Sequence, residues 1–466
     1  MTARMIGTIR SANARLGSAC LLGACALAAG SQASEPATTD DPSISLSEST
    51  PSIVEIDESS DLDALILYAE RTNPALRAAE HRYRAAGERI QQAKAFPDPT
   101  LRLAVALEPI ETRVGPQDAQ LSYSQAIPGR GKRGQRAEIA RADAETAREE
   151  YEHERRRLGF RIADAYYELY LLARSTEITR DNRDILIYVE QIVRKAYETG
   201  NAPYADLIRS QVEIGKLEND LRSLADQRRA VEAHINSLLH RPSDASLPAP
   251  RLADAPLTLR PEAELRAMID ESAPEVEVLD ARLAGAEQRV RLTEIDDRLD
   301  WKLSLSYLPT GEANDPTISG SGDDPIYAGV SVSLPVWRKK YRAAEREARE
   351  HQSAVLEARR EVEDGIVDRL ERLLYRFHNA DRELRLYRDT LIPKSGQSLE
   401  ASQAGLRTGN VSVLDLLDTT RVLLQFQLAF ERAKTERERA VAEMRYLLGD
   451  DVLLARAETP GAEGTW

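Results

Sequence analysis

The sequence predicts a mainly α-helical chain with a β-barrel part: long antiparallel coiled-coil helices plus four short β-strands, arranged as two copies of one unit. Three observations predict this. Residues 73–103 realign on 273–303 at a constant offset of 200, setting Pro74 on Pro274, Arg82 on Arg282, Ala86 on Ala286 and Leu103 on Leu303. Four segments alternate with period two inside otherwise helical surroundings. The intervening stretches are long and rich in Ala, Glu, Arg and Leu, in a 466-residue chain with 30% charged and only 5% aromatic residues. That is the composition of long helices rather than of a thick globular core, and the internal repeat asks for one architecture per half.

The first 33 residues combine a basic start (Arg4, Arg10, Arg15), an apolar run from Leu16 to Ala29 and the small-residue triplet Ser31-Gln32-Ala33. This is the pattern of a secretory signal peptide. Both cysteines, Cys20 and Cys25, fall inside it, so the exported chain is expected to carry no disulfide. Leu22-Gly23-Ala24-Cys25 also has the form of a lipoprotein cleavage box, which makes Cys25 a candidate lipidated N-terminus. The apolar run continues past Cys25 and favours cleavage after Ala33 instead. Residues 34–60 are polar, acidic and turn-rich, and are expected to be extended.

The first repeat is assigned to 61–240. A helix is expected from Leu62 to Ala95, stopped by Phe96-Pro97-Asp98-Pro99. Leu101, Leu103, Val105 and Leu107 then alternate with Arg102, Ala104 and Ala106, and Leu121, Tyr123 and Ile127 with Ser122, Ser124 and Ala126. A hairpin over 100–127, with its loop at 108–120, follows. From Lys132 to about Tyr197 no proline intervenes, and a helix of that length spans about 100 Å. Along it Ala137, Ala140, Ala144, Ala147 and Tyr151 recur at 3-4-3-4 spacing, a small-residue seam that lets helices approach closely. Thr199-Gly200-Asn201-Ala202-Pro203 reverses the chain into a returning helix from Tyr204 to Leu239.

Residues 241–260 are Pro-rich and link to the second repeat, 261–450. Its strands are cleaner: Trp301, Leu303, Leu305 and Tyr307 alternate with Lys302, Ser304 and Ser306, and Ile326, Ala328, Val330, Val332 and Leu334 with Tyr327, Gly329, Ser331 and Ser333. The hairpin spans 301–334, with a Gly/Pro-rich loop at 311–325. The long helix after it is expected from Lys339 to about Leu391, kinked or interrupted at Pro393. Thr408-Gly409-Asn410 reverses it into a return through Leu448, and 451–466 reads as a frayed tail.

A net charge of −14 excludes nucleic acid, whose phosphates need a basic footprint. The arginines are interleaved with glutamates and read as solvated helix faces. Beyond the signal no stretch approaches the roughly 18 apolar residues of a membrane helix, so a membrane crossing has to be made by strands. The six histidines have no metal-ligand spacing, and four methionines make no thioether relay. Gly129-Arg130-Gly131-Lys132-Arg133 lacks the spacing and the following Ser/Thr of a phosphate loop. No cofactor, metal site or enzymatic activity is expected. The strands carry an apolar face opposite a face of Ser, Ala, Gly, Arg and Lys, as in a barrel with lipid outside and water inside. Four strands cannot close, membrane barrels begin at about eight, and open edges in lipid are prohibitive. Three chains pooling twelve strands, a homotrimer, solve this.

These residues resemble the TolC-like outer-membrane efflux factors over about 60–450. The resemblance is carried by the paired Gly-Asn turns, by LSYSQAIPGRGKR (121–133) and VSVSLPVWRKK (330–340), and by the duplication. It implies a trimeric twelve-stranded barrel in the outer membrane of a Gram-negative cell, seated in outer-membrane lipid, with a helical tunnel in the periplasm. It further implies a passive exit duct of a tripartite efflux system for small molecules or metal ions. Such a duct docks on a periplasmic adaptor and an inner-membrane pump, here of the RND type. IPGRGKRGQR (127–136) leans towards the heavy-metal branch.

By the same resemblance Gly200, Asn201, Gly409 and Asn410 are the tips that meet the adaptor, although glycines there would stop a helix in any protein. Asp415 and Asp418, at i and i+3 on one helix face, resemble the family's acidic periplasmic mouth. Three-fold symmetry would turn them into two stacked acidic rings; a solvated helix face is the plain alternative. Asp206 takes the matching place after the first tip, where the family has a gate-latching aspartate. The Tyr and Arg of the family's latch are replaced by Leu406 and Val411, leaving Arg407 as the nearest substitute. Two other functions compete: the exit duct of a type I protein secretion system, and a non-channel periplasmic coiled-coil scaffold. The apolar-out, small-polar-in alternation favours the pore.

Overall fold

The helix expected over 62–95 is two helices. α1 (Leu62–Thr72) ends at Asn73, and α2 (Pro74–Lys94) begins with proline at its first position, where a missing N–H costs nothing. Asn73 caps α2 by accepting from the N–H groups of Ala75 and Leu76, and its amide donates to the Leu238 carbonyl at 2.8 Å. The second half repeats the break: α5 (Glu262–Ser272) and α6 (Pro274–Ile295) meet at Ala273. This computed structural model describes residues 56–57, 60–252, 257–315, 317–408, 410–449 and 452. The signal segment with Cys25, most of 34–60, nearly all of 451–466, Gly409 and the Arg407 side chain lie outside the described residues.

Four strands follow the expected places: β1 (Thr100–Thr112), β2 (Gly115–Ile127), β3 (Asp300–Tyr307) and β4 (Ile326–Ser333). The first hairpin is longer than its alternation suggests. Strand continues through most of 108–120, where a loop was expected, and only Arg113 and Val114 make the turn. A register shift between Val105 and Ile110 breaks the pattern there; Pro109 lies within it and has no N–H for the ladder. The two hairpins join through β2 and β3 into one antiparallel sheet, ordered β1-β2-β3-β4. The long β3–β4 loop folds back on the first hairpin: Gly311 donates to the Pro116 carbonyl at 2.8 Å and Gly322 to that of Val114 at 3.0 Å.

α3 (Lys132–Glu198) is a single helix of 67 residues, and α4 (Tyr204–Leu238) returns beside it. Its counterpart does not stop at Leu391. α7 (Arg338–Leu386) enters one π-helical turn (Tyr387–Leu391) and continues as α8 (Ile392–Thr408). In a regular helix the Pro393 ring would strike the Asp389 carbonyl; the widened turn, closed by the Ile392 N–H on the Tyr387 carbonyl, removes that conflict. The Ser395 hydroxyl then takes the Leu391 carbonyl at 2.7 Å. α9 (Val413–Leu448) returns.

Buried apolar side chains form three clusters. Leu65, Leu76, Ile162, Tyr166, Leu169 and Ile235 fill the first, and the equivalent place in the second half holds Leu265, Val276, Ile366, Leu370, Phe377 and Met444. A third, near the helical reversals, joins Leu186, Val189, Leu207, Leu399, Leu416 and Leu417. Most charged side chains are solvated, as expected, with a few exceptions on α3 and α9. Glu431 is only 4% exposed and accepts from the Tyr170 hydroxyl and from Arg174 Nε, both at 3.1 Å, with Lys434 buried next to it.

Candidate functional site

One face of the sheet is apolar apart from Gln125, which lies opposite Leu303. Leu101 lies opposite Tyr123, Leu103 opposite Leu121, Tyr123 opposite Leu305, Leu121 opposite Tyr307, Leu303 opposite Val330 and Trp301 opposite Val332. Directly opposed residues share a face, so these side chains make a continuous surface. It is bare: Leu101, Leu103, Val105, Ile326 and Val330 are each more than 60% exposed. A soluble protein does not leave such a patch uncovered. Tyr307 stands at the loop end, while Trp301 and the 77%-exposed Trp337 stand at the helix end, in the manner of aromatic girdles at two membrane interfaces. The opposite face carries Ser122, Ser124, Lys302, Ser304, Ser306, Gly329 and Ser331. Gly329 has to stay small, since a Cβ there would lie 2.7 Å from Ser304 Oγ.

Sheet and helices are clasped at the β2–α3 passage. Lys132, 2% exposed, lies 3.1 Å from Asp300 and 3.7 Å from Asp296, and Asp300 also accepts the Gly129 N–H at 2.6 Å. Arg298 donates to the Arg130 carbonyl at 2.7 Å. The contact joins the first half to the second.

At the far end of the long helices the two reversals are built alike. The Asn201 N–H closes on the Ala196 carbonyl at 2.7 Å and the Asn410 N–H on that of Gly405 at 2.9 Å, the six-to-one bond of a Schellman motif. Gly200 supplies the left-handed residue, with φ of +75°. Each Asn side chain donates to the Thr two residues before it, at 3.1 and 3.0 Å. What differs is the filling: a Cβ on Gly405 would lie 2.4 Å from Val411 Cγ2, whereas the repeat-matched pair is Ala196 and Ala202. Leu406 packs on the apolar cluster near the reversals. Both would-be latch positions are therefore spent on the hairpin's own packing.

The acidic candidates have distinct surroundings. Asp415 closes a capping box with Ser412: the Ser412 hydroxyl donates to its carboxylate at 2.7 Å and the Asp415 N–H to the hydroxyl at 3.2 Å. Asp418 is exposed, 3.7 Å from Arg421. Asp206 lies in the first turn of α4, 3.1 Å from Arg209. Arg407 falls in the last turn of α8. Sequence reasoning missed two features here. The capping box was legible as Ser-x-x-Asp at 412–415, while Arg421, 3.0 Å from Glu213 on α4, has no local signal. Among the described residues no His, Cys, Asp and Glu side chains converge on a metal position, and no helix is long and apolar enough to cross a membrane.

Residues 65–239 and 265–450 match the outer membrane efflux protein family, the same two blocks as the internal repeat. The cobalt-zinc-cadmium resistance protein CzcC of Cupriavidus metallidurans is 22% identical over 395 residues, covering 83% of this chain and 90% of its own. Among solved structures, the outer membrane protein VceC of Vibrio cholerae superposes with a TM-score of 0.69 at 17% identity, covering 83% of this chain and 96% of its own. The outer-membrane channel OprN does so at 0.70 and 19%, over 85% and 94% of the two chains. CusC does so at 0.71 and 14%, over 84% and 92%. At such identities the superpositions establish the fold.

Proposed function

The chain belongs to the outer membrane efflux protein family, and on that premise we propose that three copies pool their sheets into a twelve-stranded barrel that empties the periplasm through the outer membrane. The observation that carries this reading is the sheet: an uncovered apolar face, a small polar face and two unpaired edge strands. At about 3.3 Å per residue the 13-residue strands β1 and β2 reach about 43 Å, enough to cross an outer-membrane apolar band of about 25 Å at the tilt of a membrane barrel. Edges left open in lipid would each lose a row of hydrogen bonds, and copies of the same chain are the partners at hand. The non-channel scaffold is set aside.

The cargo of this duct is a small metal cation, a reading supported by the relative named for cobalt, zinc and cadmium resistance and by the acidic side chains beside the second reversal. Transport through it is passive. An inner-membrane pump of the RND type drives the cargo, through a periplasmic adaptor that meets the reversals at Gly200-Asn201 and Gly409-Asn410. Asp418 and Asp415, with Asp206 beside the other reversal, form the acidic mouth. Native mass of the protein extracted in detergent from outer membranes tests the assembly: a heat-sensitive trimer is expected, and a monomer washed from the periplasm without detergent would end the reading. Sensitivity of a deletion strain to cobalt, zinc and cadmium, against dyes and a secreted protein, tests the cargo.

A further inference from the structure

The internal repeat supplies a template for a contact that one copy cannot make. Within the chain β2 of the first half pairs with β3 of the second, with Ile127 opposite Trp301, Gln125 opposite Leu303 and Tyr123 opposite Leu305. The two open edges are repeat copies of these same strands. Ser331-Val332-Ser333-Leu334-Pro335 realigns on Ser124-Gln125-Ala126-Ile127-Pro128 at an offset of 207, and Leu101-Arg102-Leu103 on Trp301-Lys302-Leu303 at 200. We infer that β4 of one copy pairs with β1 of the next in the β2–β3 register, Leu334 facing Leu101, Val332 facing Leu103, Val330 facing Val105 and Ser331 facing Ala104. This rests on the trimeric reading above.

Side-chain chemistry agrees. Every outward pair in this register is apolar, and apart from the half-buried Val332 its members are strongly exposed in a single copy, from Leu334 at 68% and Leu101 at 71% to Val330 at 62% and Val105 at 65%. A slip of one residue would set Leu334 against Arg102 and turn one apolar face inward. A slip of two preserves the faces, and the two hairpins differ from each other by that amount: Leu101 opposes Tyr123, while Trp301 opposes Val332 rather than Val330. The passage into the helices argues for the unslipped register. Lys132 sits between Asp296 and Asp300 of the neighbouring passage. Its repeat copy is Lys339, and the positions matching 296 and 300 are Phe96 and Thr100, with Asp98 midway. Lys339 and Asp98 are both exposed, and neither has an ion-pair partner among the described residues. Unslipped pairing brings Lys339 of one copy to Asp98 of the next, a second clasp at the seam between copies.

Paired cysteines in outer membranes test the register under mild oxidation, with the single-cysteine variants as controls for Cys20 and Cys25. Opposed pairs alternate between close and distant spacing, so one pair from each face is used. Ser331→Cys with Ala104→Cys, or Val332→Cys with Leu103→Cys, is expected to yield covalent trimer at least about fivefold above pairs displaced by two residues, such as Ser331→Cys with Ala106→Cys or with Arg102→Cys. A dominant displaced pair, or an intact heat-sensitive trimer with no crosslink at all, would overturn the register and leave the trimer standing. Absence of a trimer in the unmodified protein would overturn both. For the clasp, Lys339→Glu and Asp98→Lys are each expected to lower the temperature at which the trimer dissociates in detergent, and the double variant to restore it. Unchanged dissociation in both single variants would remove the clasp.

Discussion

Arg421 on α9 reaches Glu213 on α4 at 3.0 Å, tying the return helix of the second half to that of the first. The same guanidinium lies 3.7 Å from Asp418, and Glu213 also receives Lys216 at 2.8 Å. With Leu406 and Val411 committed to packing, this is the charged tie between the two hairpins near their reversals. We expect Arg421→Ala to raise the resting conductance of the trimer in planar bilayers at least about twofold. A half-exposed pair of this kind contributes about 1 kcal/mol or less, so thermal stability should hardly move. Unchanged conductance would take the tie out of the control of the mouth.

The tie also sets a pH dependence. Burial alone would raise the Glu213 carboxyl, but Lys216 and Arg421 outweigh it and hold the group below its ordinary 4.5. A carboxylate depressed in the folded state keeps its full contribution above the ordinary value and loses it only as pH falls through the depressed one. Conductance should therefore stay level from about pH 7 to about pH 5 and rise only under more acid conditions. Glu213→Gln should abolish that rise; a rise already complete by about pH 6 would assign it to another group.

Asp418 is the cleaner probe of the proposed acidic mouth, because Asp415 doubles as the second half of a helix cap. Asp418→Asn is expected to weaken block by divalent cations severalfold without unfolding the reversal. Asp415→Asn should add a loss of about 1 kcal/mol from the cap. Equal cation block in wild type and Asp418→Asn would place this residue away from the conduction path.

Gly405 has no room for a side chain, since its Cβ would meet Val411 Cγ2. Gly405→Ala should destabilise the second reversal by about 1–3 kcal/mol, read as faster local hydrogen exchange and proteolysis at 405–413. Adding Val411→Ala reproduces the Ala196–Ala202 filling of the first reversal and should recover most of the loss. No recovery would mean that the glycine serves something other than this contact.

On the sheet, Leu303→Arg puts a charge on the lipid face and should cost about 2–4 kcal/mol at mid-depth, seen as loss of heat-stable trimer in the outer membrane. Ser306→Arg, on the opposite face, should assemble normally. Equal assembly of the two would contradict the assignment of faces.

The strands were legible because one face meets lipid, so Leu101, Leu103, Leu303 and Leu305 could be nothing but apolar, and the Gly-Asn reversals because only such residues end a helix that way. The break before Pro74 was also written, as an Asn-Pro pair. The extension of the first hairpin was not, since the irregularity around Pro109 destroys the alternation that would have announced it. Nor was the burial of Glu431, whose partners Tyr170 and Arg174 lie on a helix from the other half. Pairings across the repeat leave no periodicity in either segment, and the Arg421–Glu213 tie is hidden for the same reason.

Along α7 the buried positions Ile366, Leu370, Leu373, Phe377, Ala380 and Leu384 step by fours and threes. Past the π-helical turn Ile392, Ser395 and Leu399 resume that step one residue late. The turn is a skip in a count: it consumes one residue without advancing the apolar stripe, and one residue is worth about 100° of rotation. Wound as a regular helix, the same residues would swing everything as far as Thr408 through about that angle, whereas deleting one residue of 387–391 would leave the stripe in register. The bearing of the second reversal is thus set by an integer held well above it, whereas the first hairpin, on unbroken α3, has no such adjustment. Two halves cut to one pattern are clocked differently.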